Sequence, residues 1–162
     1  MSRWHLSVAS ACILFATPWA AAADTKYVKL VHVDTGKVLG VVDDSDEAGA
    51  QTALVKDEKG EARQWKLEKD GQHYKLVNRK SGKVLDVFGE STEEGAQIIQ
   101  WDDKAEGNDN QRWEWEGDGT ERRLKSKSSA LVLDVDDDGK IVQRKADGKA
   151  KGQLWRVVDI KD

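Results

Sequence analysis

The 162-residue sequence predicts an all-β domain of twelve short strands in three pseudo-equivalent sets, closed on itself. Three observations predict it: two markers recurring at one period, apolar residues alternating every second position, and turn residues punctuating the runs. The first marker, Gly36-Lys37-Val38-Leu39-Gly40-Val41, returns as Gly82-Lys83-Val84-Leu85-Asp86-Val87 and, more loosely, as Ala130-Leu131-Val132-Leu133-Asp134-Val135, at offsets of 46 and 48 residues. The second, Gln64-Trp65-Lys66-Leu67, is answered by Arg112-Trp113-Glu114-Trp115 and Leu154-Trp155-Arg156-Val157, at offsets of 48 and 42.

In chain order, residues 1–23 read first as a secretory signal peptide. Arg3 is the only charged side chain there, an apolar run spans 6–16, and Ala21 and Ala23 bracket an A-x-A-like cleavage site. The exported domain is then 24–162, with repeats at about 24–71, 72–119 and 120–162. In the first repeat Val28, Leu30 and His32 interleave with Lys29 and Val31, the period of a half-buried strand. The second repeat divides into strands at roughly 73–78, 83–88, 97–101 and 112–116, where Trp113 and Trp115 alternate with charged residues. Turns fall at Asp34-Thr35-Gly36, Lys59-Gly60, Asp70-Gly71, Lys80-Ser81-Gly82, Asp118-Gly119, Asp138-Gly139 and Asp147-Gly148. The third repeat follows the same plan. Closure removes the sheet edges that such a protein would otherwise expose.

Composition narrows the function. Loss of residues 1–23 takes the net charge from −4 to −5, which argues against nucleic acid or an anionic membrane as a charge-driven partner. Met1, Cys12 and Pro18 are the only residues of their kinds and all leave with the signal. The exported domain thus has no disulfide, thiolate nucleophile or cysteine metal site. No later apolar run approaches the roughly 20 residues of a membrane span. The expected location is secreted or periplasmic.

The run Leu76-Val77-Asn78-Arg79-Lys80-Ser81-Gly82-Lys83-Val84-Leu85-Asp86-Val87, with Gly95-Ala96-Gln97-Ile98-Ile99-Gln100-Trp101 and Asn110-Gln111-Arg112-Trp113, closely resembles the ricin B-type β-trefoil lectin repeat. Its Q-x-W signature stands complete as Gln111-Arg112-Trp113 and Gln153-Leu154-Trp155, and degraded as Arg63-Gln64-Trp65. The resemblance implies a β-trefoil and non-catalytic carbohydrate binding in shallow pockets, up to one per repeat. Many members pair cysteines at the positions of Val84 and the vicinity of Asp103, so that disulfide is absent here.

A sugar offers an apolar C–H face and a rim of hydroxyls, so its site needs an aromatic plate and a few polar groups, of which a carboxylate grips best. The resemblance assigns the carboxylate to the Leu-Asp-Val segment, the plate to an aromatic about fifteen residues later, and an amide to the residue before Q-x-W. The second repeat has all of them as Asp86, Trp101 and Asn110, with Gln111 behind. The third keeps Asp134 but has Arg144 and Gly152; the first has Gly40, Val55 and Ala62. One site is therefore expected, not three.

Plainer readings stand beside these. Asp86 is either the sugar carboxylate or a turn residue satisfying backbone donors; Asp134 is expected to be the latter. Trp101, replaced by valine and arginine in its sister repeats, is expected on the surface, whereas Trp65, Trp113 and Trp155 read as core. Gln111 and Gln153 are expected to bond backbone groups beneath the site, with any ligand contact by Gln111 secondary. The run 134–139 begins like a calcium loop, but Lys145 stands where a bidentate Glu is needed, so it reads as a polar turn. His32 and His73 lack ligand-spaced partners, and Glu93-Glu94 with Asp102-Asp103 are too commonplace in an acidic chain to mark a glycosidase. No G-x-S-x-G or metal-ligand spacing supports an enzyme, and neither metal nor cofactor is expected. The leading expectation is a lectin-like carbohydrate binder with an oligomeric state the sequence leaves open. The alternative is a protein-interaction or inhibitor trefoil with a vestigial sugar site.

Overall fold

A computed structural model describes residues 26–160. The expected signal peptide lies outside these residues. Twelve strands follow in order: β1 Val28–His32, β2 Val38–Val41, β3 Thr52–Val55, β4 Trp65–Asp70, β5 His73–Asn78, β6 Val84–Val87, β7 Ile98–Trp101, β8 Trp113–Glu116, β9 Arg123–Ser126, β10 Val132–Val135, β11 Ile141–Arg144 and β12 Trp155–Asp159.

Six of them close a barrel. Strand β1 pairs with β12 and β4, β4 with β5, β5 with β8 and β8 with β9, and an Arg122–Trp155 bridge joins the last side. The other six form three antiparallel hairpins, β2–β3, β6–β7 and β10–β11. Single bridges, Gln51–Ile99, Ala53–Lys140 and Gln97–Val142, tie each hairpin to the other two. This is a β-trefoil.

The core repeats with the chain. Trp65, Trp113 and Trp155 have no exposed surface, nor have Leu30, Leu76 and Leu124 or Leu39, Leu85 and Leu133. Burying each leucine contributes about 1.5–3 kcal/mol, so these triplets are a main part of what stabilises the fold. The indole N–H groups of Trp65 and Trp113 donate to the Leu39 and Leu85 carbonyls at 3.0 and 3.1 Å, fastening barrel to hairpin. Where Val87 faces Ile98 and Val135 faces Ile141, Val41 faces Thr52. Its buried hydroxyl donates to the Ile98 carbonyl at 2.7 Å, so the threefold pattern is broken without an orphaned polar group.

Strand register fixes which residues are equivalent. Val38, Val84 and Val132 lie opposite Val55, Trp101 and Arg144, while Gly40, Asp86 and Asp134 lie opposite Ala53, Ile99 and Val142. Val84 is buried, and Asp103 is paired with Lys75 at 2.7 Å and with Arg112 at 3.3 Å. An apolar contact and an ion-pair group thus occupy the ground of the missing disulfide.

Two buried glutamines latch neighbouring repeats together. The Gln100 amide donates to the Ser45 and Glu47 carbonyls at 3.0 and 2.9 Å, and that of Gln143 donates to Ser91 and Glu93 at the same distances. Each accepts a serine hydroxyl, Ser81 or Ser129, at its oxygen. At the corresponding place in the first repeat, Leu54 pairs opposite Leu39.

Candidate functional site

Period-two alternation in β6 buries Leu85 and Val87 in the core and turns Asp86 to the other side. Opposite it, β7 carries Ile99 on the same face and ends at Trp101. Two 3-10 turns complete the surroundings: Phe88–Glu90 directly follows β6, and Asp109–Gln111 brings Asn110 and Gln111 in behind the hairpin.

Asp86, Ile99, Trp101 and Asn110 line one open pocket of about 360 Å³. Its rim adds Phe88, Glu90 and Lys104. Asp86 and Asn110 are buried at the pocket's base, whereas Trp101 is 39% exposed and Phe88 57%. The three residues expected to converge therefore line the same cavity, and the indole faces water. A first-repeat loop supports that indole: a Cβ added at Gly49, where φ is +86°, would stand 3.3 Å from its Cζ3.

The carboxylate is held entirely by side-chain amides. Asn110 Nδ2 donates to Asp86 Oδ1 at 3.0 Å and to the Val87 carbonyl at 3.1 Å. Gln111 Nε2 donates to Asp86 Oδ2 at 2.7 Å and to the Asp102 carbonyl at 2.9 Å, while Gln111 Oε1 accepts the Lys104 backbone N–H at 2.9 Å. Burial pushes the Asp86 carboxyl above the ordinary aspartate range. The Gln111 amide, the Lys104 ammonium and the Asn110 amide oppose that rise, and Glu90 adds to it. Gln111 has no exposed surface and touches no part of the cavity. It bonds backbone groups as expected and orients Asp86, but buried behind the carboxylate it is out of reach of the secondary ligand contact expected of it.

The sister positions are closed in two different ways. In the third repeat Asp134 Oδ1 accepts the backbone N–H of Val135 at 2.7 Å, the turn role expected of it, and Oδ2 accepts Gln153 at 3.0 Å. Arg144 Nη1 lies 3.6 Å from the same carboxylate and donates to the Val135 carbonyl at 3.2 Å, lying where the plate is in the second repeat. Gly152 offers only its carbonyl, to which buried His32 donates at 3.0 Å. In the first repeat an added Cβ at Gly40 would stand 2.5 Å from Cγ2 of Val55, so no side chain fits.

The remaining candidates have structural roles. Asp136 Oδ1 accepts the N–H groups of Asp138 and Lys140 at 3.0 and 2.8 Å, which makes the calcium-like run a polar turn. Glu94 pairs with Lys145, Asp102 with Lys83 and Asp103 with Lys75 and Arg112, so these three carboxylates are held in ion pairs. His73 lies in β5, opposite Asp70. Sequence reasoning missed Phe88, Glu90 and Lys104. Phe88 had a signal: its counterparts are Val42 and Asp136, so an aromatic appears there only beside the complete site.

A family model described as ricin-type β-trefoil lectin domain-like matches residues 13–101. Among solved structures, the designed threefold-symmetric protein ThreeFoil is 35% identical, with a TM-score of 0.77 over 83% of this chain and 99% of that one. An exo-β-1,3-galactanase from Clostridium thermocellum is also 35% identical, with a TM-score of 0.77 over 85% of this chain, which spans only 31% of the galactanase. The Rhizoctonia solani agglutinin, 17% identical, shares the fold with a TM-score of 0.71 over 84% of this chain and 96% of its own. No curated protein sequence gives a significant match. With the repeated signature, the trefoil and the family model in agreement, the chain belongs to the ricin-type β-trefoil lectin domain-like family.

Proposed function

We propose that the protein is a non-catalytic carbohydrate-binding module with one site, in the second repeat. The observation that carries this reading is the meeting of an exposed indole and a buried, amide-held carboxylate in one 360 Å³ pocket. The Trp101 plate takes the C–H face of a sugar ring, and Asp86 accepts hydroxyl hydrogens from its rim. Asn110 and Gln111 act on the sugar through Asp86, since their amide hydrogens are engaged within the protein. One ring stacked on one face gives affinities on the order of millimolar to micromolar. A single site does not cross-link glycans unless the protein oligomerises.

The same reading makes the protein an exported one, secreted or periplasmic, with a mature chain starting near Asp24. Intact mass of the protein recovered outside the cytoplasm checks that point. Binding is tested by titrating a panel of mono- and disaccharides while following tryptophan fluorescence. Saturable quenching that disappears in Trp101→Ala is the expected result. Saturable binding that survives this substitution would remove the plate from the site.

A further inference from the structure

Apart from the indole N–H of the Trp101 plate itself, counting the hydrogens on the pocket's polar side chains points to one residue. Asn110 Nδ2 has two hydrogens, directed to Asp86 at 3.0 Å and the Val87 carbonyl at 3.1 Å. Gln111 Nε2 is consumed likewise by Asp86 and the Asp102 carbonyl. Asp86 and Glu90, if ionised, only accept. Lys104 Nζ carries three hydrogens and has two protein partners, Glu90 Oε1 at 2.5 Å and Asn110 Oδ1 at 3.3 Å. One N–H is left, on a side chain that lines the cavity and is 27% exposed.

The charges decide what that donor will accept. Among the described residues Lys104 is the one cation lining the pocket, beside the carboxylates of Glu90 and Asp86, so that with both ionised the three groups sum to −1. The ammonium charge is already neutralised by Glu90. A uronate or sulfate entering beside Trp101 would meet an excess of negative charge, whereas a neutral ring would receive one N–H and give its hydroxyl hydrogens to Asp86. The second repeat alone has this pair, because the residues matching Lys104 are Glu58 and Asp147.

We propose that Lys104 is a saccharide-contacting donor of this pocket and that its ion pair with Glu90 restricts the site to uncharged sugars. The inference rests on the carbohydrate-binding reading. Glu90 is thus a specificity residue: it cancels the charge that would otherwise recruit acidic saccharides.

Matched pairs differing only in the oxidation of C6, galactose with galacturonate and glucose with glucuronate, isolate the charge effect. Calorimetric or fluorescence titration of wild type, Glu90→Gln and Lys104→Met reads it. Wild type is expected to favour the neutral member of the bound pair by about tenfold or more, the size of one charge interaction near a protein surface. Glu90→Gln is expected to erase or invert that ratio, and Lys104→Met to weaken neutral binding by about tenfold with an unchanged unfolding midpoint. Equal or tighter wild-type binding of the acid, or no change of ratio in Glu90→Gln, overturns the charge preference while sugar binding stands. Undiminished neutral binding in Lys104→Met removes the donor. Wild type binding no member of either pair, nor any sugar of the wider panel, overturns the carbohydrate reading and this inference together.

Discussion

Replacing Gln111 by methionine removes three hydrogen bonds with little change of volume. Asp86 Oδ2 loses a donor at 2.7 Å, the Asp102 carbonyl one at 2.9 Å, and the Lys104 N–H its acceptor at 2.9 Å. The bond to a carboxylate is worth about 1.5–3 kcal/mol and the other two about 1 kcal/mol each, so the loss sums to about 3–5 kcal/mol. A domain of this size has about 5–15 kcal/mol in total, so the variant folds but unfolds at much lower urea. The third repeat supplies an internal control. Gln153 makes the same three bonds, to Asp134 Oδ2 at 3.0 Å, the Lys145 carbonyl at 2.9 Å and the Asp147 N–H at 2.8 Å.

Urea unfolding followed by tryptophan fluorescence is expected to show similar destabilisation in Gln111→Met and Gln153→Met. Sugar titrations should separate them, because only Gln111 holds a carboxylate that borders an open pocket. Without that amide the Asp86 carboxyl rises further, and the acid limit of binding moves up in pH; in Gln153→Met it stays in place. A destabilisation below about 1 kcal/mol for Gln111→Met would refute the hydrogen-bond account. An equal effect of both substitutions on binding would refute the assignment of function to the second repeat alone.

Three further outcomes are expected. Binding should fail on acidification at a pH above the ordinary aspartate value of about 3.9, since burial raises the Asp86 carboxyl and only the ionised form accepts two hydroxyls. The stability effect of the same group has the opposite sense: a carboxyl raised on folding favours the folded state at acid pH, and that contribution is lost as pH rises through the folded value. Ala130→Gly should stabilise by about 0.5–1 kcal/mol, seen as a rise of roughly 2–4 °C in Tm. Ala130 has φ +59°, where its counterparts Gly36 and Gly82 have +69° and +70° without strain. Gly40→Ala should cost about 1–3 kcal/mol by overpacking against Val55, and Val55→Ala in the same chain should recover most of it in a double-mutant unfolding cycle.

The core and the strands were legible because each is specified locally. Trp65, Trp113 and Trp155 repeat at nearly constant spacing, and Val28, Leu30 and His32 alternate as a half-buried strand must. The predicted strands at 73–78, 83–88, 97–101 and 112–116 lie within a residue or so of β5 to β8. Phe88 was read as the end of a strand but opens a 3-10 turn in which Gly89 and Glu90 take φ of +64° and +56°. That left-handed step brings Glu90 to the pocket rim, and no periodicity encodes it. Lys104 was hidden for a related reason: it sits in an irregular loop, held by the Gln111 oxygen seven residues later. Gln111 was expected to bond backbone first and a ligand second. Its bond to Asp86 joins positions 25 residues apart, through a register that emerges only once β6 and the 109–111 turn are packed.

The same geometry explains how one repeat combines a carboxylate with an indole plate that its sisters lack. Asp86 lies between Leu85 and Val87, both in the core, and points the other way. Its counterparts Gly40 and Asp134 are likewise flanked by inward residues, Leu39 with Val41 and Leu133 with Val135. Substitution at the outward position leaves the inward triplets untouched, so a lost carboxylate or plate weakens no core contact. The first repeat then fills the space with Val55, and the third covers its aspartate with Arg144, two unrelated closures on one scaffold. Fold and site are therefore separable in this chain. The thrice-repeated tryptophans report the trefoil, and in the proposed reading Asp86, Trp101 and the amides and ion pair around them bear on what it binds.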